Sequence, residues 1–133
     1  MMRPAAVFLL LALAGCAVLD GATAQERQER RAAALEAVAG PEAKVLDRGD
    51  GRRVLARRID DDGLLVALVN EGTEDADIDF RFADLGTGGA FMAHDCRLKE
   101  DEGVVWGQYC ARIPAGSAKL VRFRRVHCPR CTS

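Results

Sequence analysis

Apolar and polar residues alternate through most of residues 54–126, and turn-forming residues interrupt them roughly every eight to twelve positions. Asp77–Phe82 is the clearest case, with Ile78, Phe80 and Phe82 on one face and Asp77, Asp79 and Arg81 on the other. Leu64-Leu-Val-Ala-Leu-Val-Asn70 is a continuous apolar run of the buried-strand type, and Glu71-Gly-Thr-Glu-Asp75 follows it as a polar turn. Asp60-Asp-Asp-Gly63 joins Val54–Ile59 to Leu64–Val69 as a hairpin. Lys44–Asp47 reads as a short edge strand ahead of the turn Gly49-Asp-Gly51. Ala90–Asp95 reads as a strand, Arg97–Gly103 as a charged loop, and Val104–Ile113 as one strand with Tyr109, Ala111 and Ile113 inward. Pro114–Ser117 turns the chain into a last strand, Lys119–Val126. About seven short strands so spaced predict an all-β fold, a small antiparallel β-sandwich.

The pattern before residue 41 is different. Gln25–Ala39 holds strong helix formers with glutamates early, and Gly40-Pro41 ends the segment. Its apolar stripe is thin, Leu35 and Val38 aided by alanines, so the first reading is a helical spacer. Packing against the sandwich and binding a partner helix-first remain as alternatives. Further upstream, Arg3 and the apolar Ala5–Ala14 have the form of an export signal of about ten apolar residues, too short to span a bilayer. Two processing sites compete. Leu13-Ala-Gly-Cys16 resembles the bacterial lipobox, in which the cysteine is lipidated, whereas Ala22-Thr-Ala24 fits ordinary signal cleavage. The lipobox follows the apolar stretch directly, which favours lipidation of Cys16 and attachment to the membrane. By resemblance to enterobacterial lipoproteins, Ala17 after it favours the outer membrane. The expected address is therefore the bacterial cell envelope, on the outer membrane or periplasmic face, with secretion as the alternative. The expected organisation is a signal over 1–15 with its lipobox at 13–16, a tether over 16–40 with a helix at 25–39, a β-sandwich over 41–126 and a cysteine-containing tail over 127–133.

Size and charge exclude several functions. A chain of 133 residues holds one modest domain and cannot contain a TIM barrel of roughly 250 residues. Lys+Arg 19 against Asp+Glu 20 leaves a net charge of −1, which gives no footprint for nucleic acid.

Several phrases in order, Leu64–Asn70 with its acidic turn, Phe82-Ala-Asp-Leu-Gly86, Asp95 at a strand end and Pro114-Ala-Gly-Ser117, resemble the C-terminal β-sandwich domain of α-galactosidases and their glycoside-hydrolase relatives. The resemblance spans roughly residues 41–124 and implies a non-catalytic module, since the family's paired aspartates reside in the barrel. It departs from the family at Asp95-Cys-Arg97, where Asp-Leu-Trp is common, and at Ala115-Gly-Ser117, where the family has an Ala-His-Gly turn.

The remaining chemistry is sparse. With Cys16 lipidated or removed, Cys96, Cys110, Cys128 and Cys131 remain, an even count that suits disulfides in an oxidising compartment in any of three connectivities. A Cys96–Cys110 staple would close the loop between two adjacent predicted strands, and Cys110's outward parity leaves Cys128 or Cys131 as other partners. Cys128-Pro-Arg-Cys131 has the C-x-x-C form of thiol oxidoreductases, and with His127, His94 and Cys96 it offers half of a zinc signature. A structural disulfide is the simpler reading. Trp106 and Tyr109 are the candidates for stacking on a sugar, with Tyr109 expected to face the core, although 5% aromatic content supplies no row of rings. Asp60–Asp62 and Asp50 lack a calcium-loop spacing and read as solvated turns. No catalytic residue, metal or cofactor is called for. The expectation is a non-catalytic envelope module that binds a protein partner or a glycan. The alternatives are a carbohydrate-binding module using Trp106 and a periplasmic thiol or zinc protein using Cys128 and Cys131.

Overall fold

Ile78, Phe80 and Phe82 are all buried, and the rings of Phe80, Phe82, Phe91, Tyr109 and Phe123 pack edge-on or stacked at centroid distances of 4.5–6.4 Å around them. This ring cluster is the centre of the fold in the computed structural model, which describes residues 21–127. In chain order the elements are α1 (Ala24–Val38), β1 (Lys44–Gly49), β2 (Arg52–Asp60), β3 (Gly63–Asn70), β4 (Ala76–Arg81), a 3-10 turn (Phe82–Leu85), β5 (Ala90–Asp95), β6 (Glu100–Trp106), β7 (Gln108–Ile113) and β8 (Ala118–Arg125). One sheet has six strands in the order β1-β2-β3-β8-β5-β6, and β4 and β7 form a second, two-stranded sheet. Every pairing is antiparallel. The predicted sandwich is therefore present, with eight strands among the described residues in place of about seven.

The extra strand comes from Gly107. Residues Val104–Ile113 were expected to form one strand, but the chain turns at Gly107 (φ 75°) and passes from the large sheet into the small one. The Gly107 carbonyl accepts the amide of Phe82, which fixes the crossing against the 3-10 turn. Left-handed φ at that point is accessible to glycine without a Cβ clash. The expected charged loop Arg97–Gly103 is likewise mostly strand, because β6 starts at Glu100 and pairs with β5.

The helix differs from the spacer reading as well. Thr23 and Glu26 form a reciprocal capping box, so α1 starts at Ala24 rather than Gln25, and it ends at Val38. It lies on the outer face of the large sheet. Ala34 and Val38 are buried there with Leu55, Ala67 and Val69, and Leu35, Leu65, Ala118 and Leu120 complete the layer. Arg31 donates to the Gly116 carbonyl (3.0 Å) and Arg57 to the Ala37 carbonyl (3.1 Å), tying the middle and the C-terminal end of the helix to the sandwich. Small Ala34 at the contact lets the helix approach closely, so two buried side chains suffice to dock it. The continuous apolar run of β3 has the same cause, since both of its faces are covered.

Asn70 ties the two sheets together at one end. Its side chain is buried, donates to the carbonyls of Glu74 (2.8 Å) and Ile113 (3.0 Å), and accepts the Gly72 amide (2.9 Å). All its amide groups but one lone pair are thereby used, which permits burial of a polar side chain beside the core.

Candidate functional site

Trp106 is 73% exposed, the most open large apolar side chain among the described residues. It ends β6, an edge strand whose alternation sends Gly103 and Val105 toward the core and Val104 and Trp106 to the outer face. The ladder places Trp106 opposite Ala90 and Val104 opposite Met92, while Met92 also faces Arg124 of β8. Val126 follows the end of β8 and donates its amide to the Ala90 carbonyl (2.9 Å). Trp106, Val104, Met92 and Val126 thus form one apolar stretch on the outer face, with Val104 56% exposed. The helix covers this face over β2, β3 and the start of β8 and leaves β5, β6 and the end of β8 open. Arg122 and Arg124 flank the open stretch on the same face, and neither makes an ion pair to a described residue. A sugar platform needs polar groups around the ring, whereas the neighbours of Trp106 are mainly aliphatic.

The other expected site residues are scattered. Cys96 and Cys110 are free thiols, so the proposed staple between them is not formed. The reason is the crossing at Gly107. Cys96 follows β5 of the large sheet, whereas Cys110 sits on β7 of the small sheet opposite Asp79, exposed as its parity required. Burial pushes the Cys96 thiol up, with Asp95 adding to the rise and Arg122 opposing it. Cys110 is raised by the same cause, then by Asp77 and Asp79. Both are therefore mainly thiols at neutral pH and poor nucleophiles. Cys16, Cys128 and Cys131, with the lipidation, disulfide and C-x-x-C readings that rest on them, lie outside the described residues.

His94 and His127 sit at opposite ends of the β5–β8 ladder. His94 Nδ1 is 2.8 Å from Asp101 and His127 Nε2 is 3.3 Å from Asp62. No group of three or more His, Cys, Asp or Glu side chains among the described residues has the arrangement of a metal site. Asp62 also meets Arg125 (3.6 Å), and Asp50 meets Arg52 (3.7 Å), which agrees with the solvated-turn reading of those aspartates. No helix among the described residues is long and apolar enough to cross a membrane.

One polar cluster had no clear sequence signal. Tyr109 is buried in the ring cluster yet donates its hydroxyl to Glu102 (2.6 Å), and Lys119 donates to the same carboxylate and lies 5.7 Å from the Tyr109 ring centroid. Burial first, then the bond to Glu102 and the charges of Glu102 and Asp95, push the Tyr109 phenol far above its ordinary value. Asp95, also buried, accepts the amides of Arg97 (2.9 Å) and Leu98 (3.0 Å) and so closes the turn after β5. It serves as a turn residue.

This fold is shared with part of several glycoside hydrolases. A GH27 β-L-arabinopyranosidase from Geobacillus stearothermophilus superposes with a TM-score of 0.60 at 22% identity, over 64% of this chain and 20% of the enzyme. α-Galactosidase I from Mortierella vinacea gives 0.58 at 14% identity, over 62% of this chain and 23% of the enzyme. A putative α-N-acetylgalactosaminidase from Bacillus halodurans gives 0.59 at 10% identity, over 63% and 21%. The chain therefore spans about a fifth of the length of these enzymes. The likeness expected from the sequence phrases is met at the level of fold, in a portion far too short for a barrel of roughly 250 residues. No protein-family model and no curated protein matches the chain.

Proposed function

We propose that this protein is a non-catalytic accessory module of the bacterial envelope, lipidated at Cys16, that docks a protein partner through the outer face around Trp106. The observation that carries the reading is the apolar stretch of exposed Trp106, Val104 and Val126 with half-buried Met92, beside Arg122 and Arg124 on the outer face of the large sheet. Large exposed apolar surface is costly to leave in water and marks a docking surface when it is contiguous. The fold likeness to a fifth of several glycoside hydrolases supports the accessory role, and the lipobox-like Leu13–Cys16 supports the address.

Two measurements test the two halves separately. Intact mass of protein from a bacterial host should show a diacylglycerol-modified chain starting at Cys16, and a chain starting at Gln25 would remove the anchor. For the docking face, a photo-cross-linking amino acid at position 106 should trap one discrete protein in the producing cell, and the same amino acid at Glu36 on the exposed side of α1 should not. Glycan arrays test the second reading, which the open ring of Trp106 favours. Sugar binding lost in Trp106→Ala, with no protein cross-link, would replace the first reading with that of a carbohydrate-binding module.

A further inference from the structure

On the same sheet face, but at the far end of β5 from Trp106, a cleft of about 480 Å³ opens between α1 and the sandwich. Five residues of strand separate Ala90 from Asp95, about 17 Å, so the cleft is independent of the Trp106 surface. Its floor is apolar, built from Ala33 and Ala34 of α1 with Leu98, Ile113 and Leu120. Its rim carries Arg30, Arg97, Arg112 and Lys119 against a single carboxylate, Asp95. The two oxygens of Asp95 are engaged, one by the amides of Arg97 and Leu98 and the other 3.9 Å from Lys119. Lys119 also pairs with Glu102, and Arg112 with Asp77 (3.3 Å). The exposed Arg97 guanidinium has no side-chain partner among the described residues.

An apolar floor of this size with Arg97, a cation without a side-chain partner among the described residues, at its mouth matches a ligand that has an apolar body and one negative end. Cavities of roughly 300–1,000 Å³ hold small molecules, and Arg97 supplies the planar fork that suits a carboxylate. We propose that the cleft between α1 and the β5–β8 end of the sheet binds a small amphipathic anion, such as a medium-chain alkyl carboxylate, with the chain on the Ala33–Leu98–Leu120 floor and the carboxylate at Arg97. The binding is non-covalent. It also gives the docked helix a second use, because α1 forms one wall of the site.

Cys96 lines this cleft, whereas Cys110 lies on the other sheet, exposed. The purified full-length protein therefore carries its own probe and its own control. Alkylation by iodoacetamide, followed by mass spectrometry of the two cysteine peptides, should show that decanoate slows modification of Cys96 saturably and leaves Cys110 unchanged. Arg97→Glu should raise the half-saturating decanoate concentration about ten-fold, the loss of one charge-assisted contact. Ala33→Trp, at an exposed helix position, should fill the cleft and abolish the effect of decanoate without lowering the melting temperature. Equal protection of both cysteines, protection by decanol as good as by decanoate, or a Cys96 already unreactive without decanoate because the chain itself covers the cleft would each overturn the proposal.

Discussion

The side-chain amide of Asn70, at the end of β3, donates to the backbone carbonyl of Ile113, at the end of β7, and so joins the large sheet to the small one through a single buried hydrogen bond of 3.0 Å. The second N–H goes to Glu74 and the side-chain oxygen takes the Gly72 amide, so the residue also shapes the turn after β3. Asn70→Ala should cost about 2–4 kcal/mol, because it leaves two carbonyls and an amide without partners. Asn70→Asp should cost more, since a carboxylate cannot donate to either carbonyl. Urea unfolding of the three proteins measures both, and an unchanged midpoint for Asn70→Ala would show that the tie is dispensable.

Tyr109 is the chain's single tyrosine, so the alkaline absorbance change of phenol ionisation reports it alone. Its folded-state value is raised by burial and by the bond to Glu102. A raised value means that the protonated phenol is favoured by the fold. The stability it adds is fully present below the unfolded value of about 10 and is lost as pH rises toward the folded value. Ionisation should therefore coincide with loss of the near-ultraviolet circular dichroism rather than precede it. Tyr109→Phe should be about 1 kcal/mol less stable at neutral pH and should lose stability less steeply above pH of about 10. Ionisation of a still-folded chain near the ordinary value would contradict the burial.

The docked helix predicts a contribution to stability that a free spacer would not make. Val38 is wholly buried, and Val38→Ala should cost about 2 kcal/mol by opening space under α1. Thr23→Ala removes the capping box and should cost about 1 kcal/mol. Both changes should lower the unfolding midpoint of the whole domain in one transition. A midpoint unmoved by Val38→Ala would return α1 to the role of a tether.

Much of the sandwich was legible because its signal is local. Ile78, Phe80, Phe82, Tyr109 and Ile113 face the core as their alternation requires, and the turns at Asp60–Gly63 and Pro114–Ser117 fall where glycine and proline stand. The change of sheet at Gly107 was not legible, because Val105, Tyr109, Ala111 and Ile113 keep one parity straight through it. A pattern of period two records which face a residue takes and carries no information about which sheet the strand joins. The docking of α1 left a trace that could have been used. A run as apolar as Leu64–Val69 requires cover on both faces, and the small sheet can cover only one. The cleft at Cys96 depends on the helix position and was invisible for that reason.

Trp106→Ala should leave stability within about 0.5 kcal/mol of the parent, as expected of an exposed side chain without core contacts. Since the chain has one tryptophan, its fluorescence reads the proposed docking face directly. Iodide should quench it nearly as well as it quenches the free amino acid, and a bound partner should shield it. A fluorescence already shielded in the isolated protein would mean that the face is covered by its own chain.

Because α1 is part of the folded body from Ala24 onward, the slack between the proposed lipid on Cys16 and the domain is short. Seven residues, fully extended, reach at most about 25 Å. With the proposed lipid in place, a module on so short a leash would work against the bilayer that holds it. It would meet partners that come to that surface and could not sweep the space beyond it.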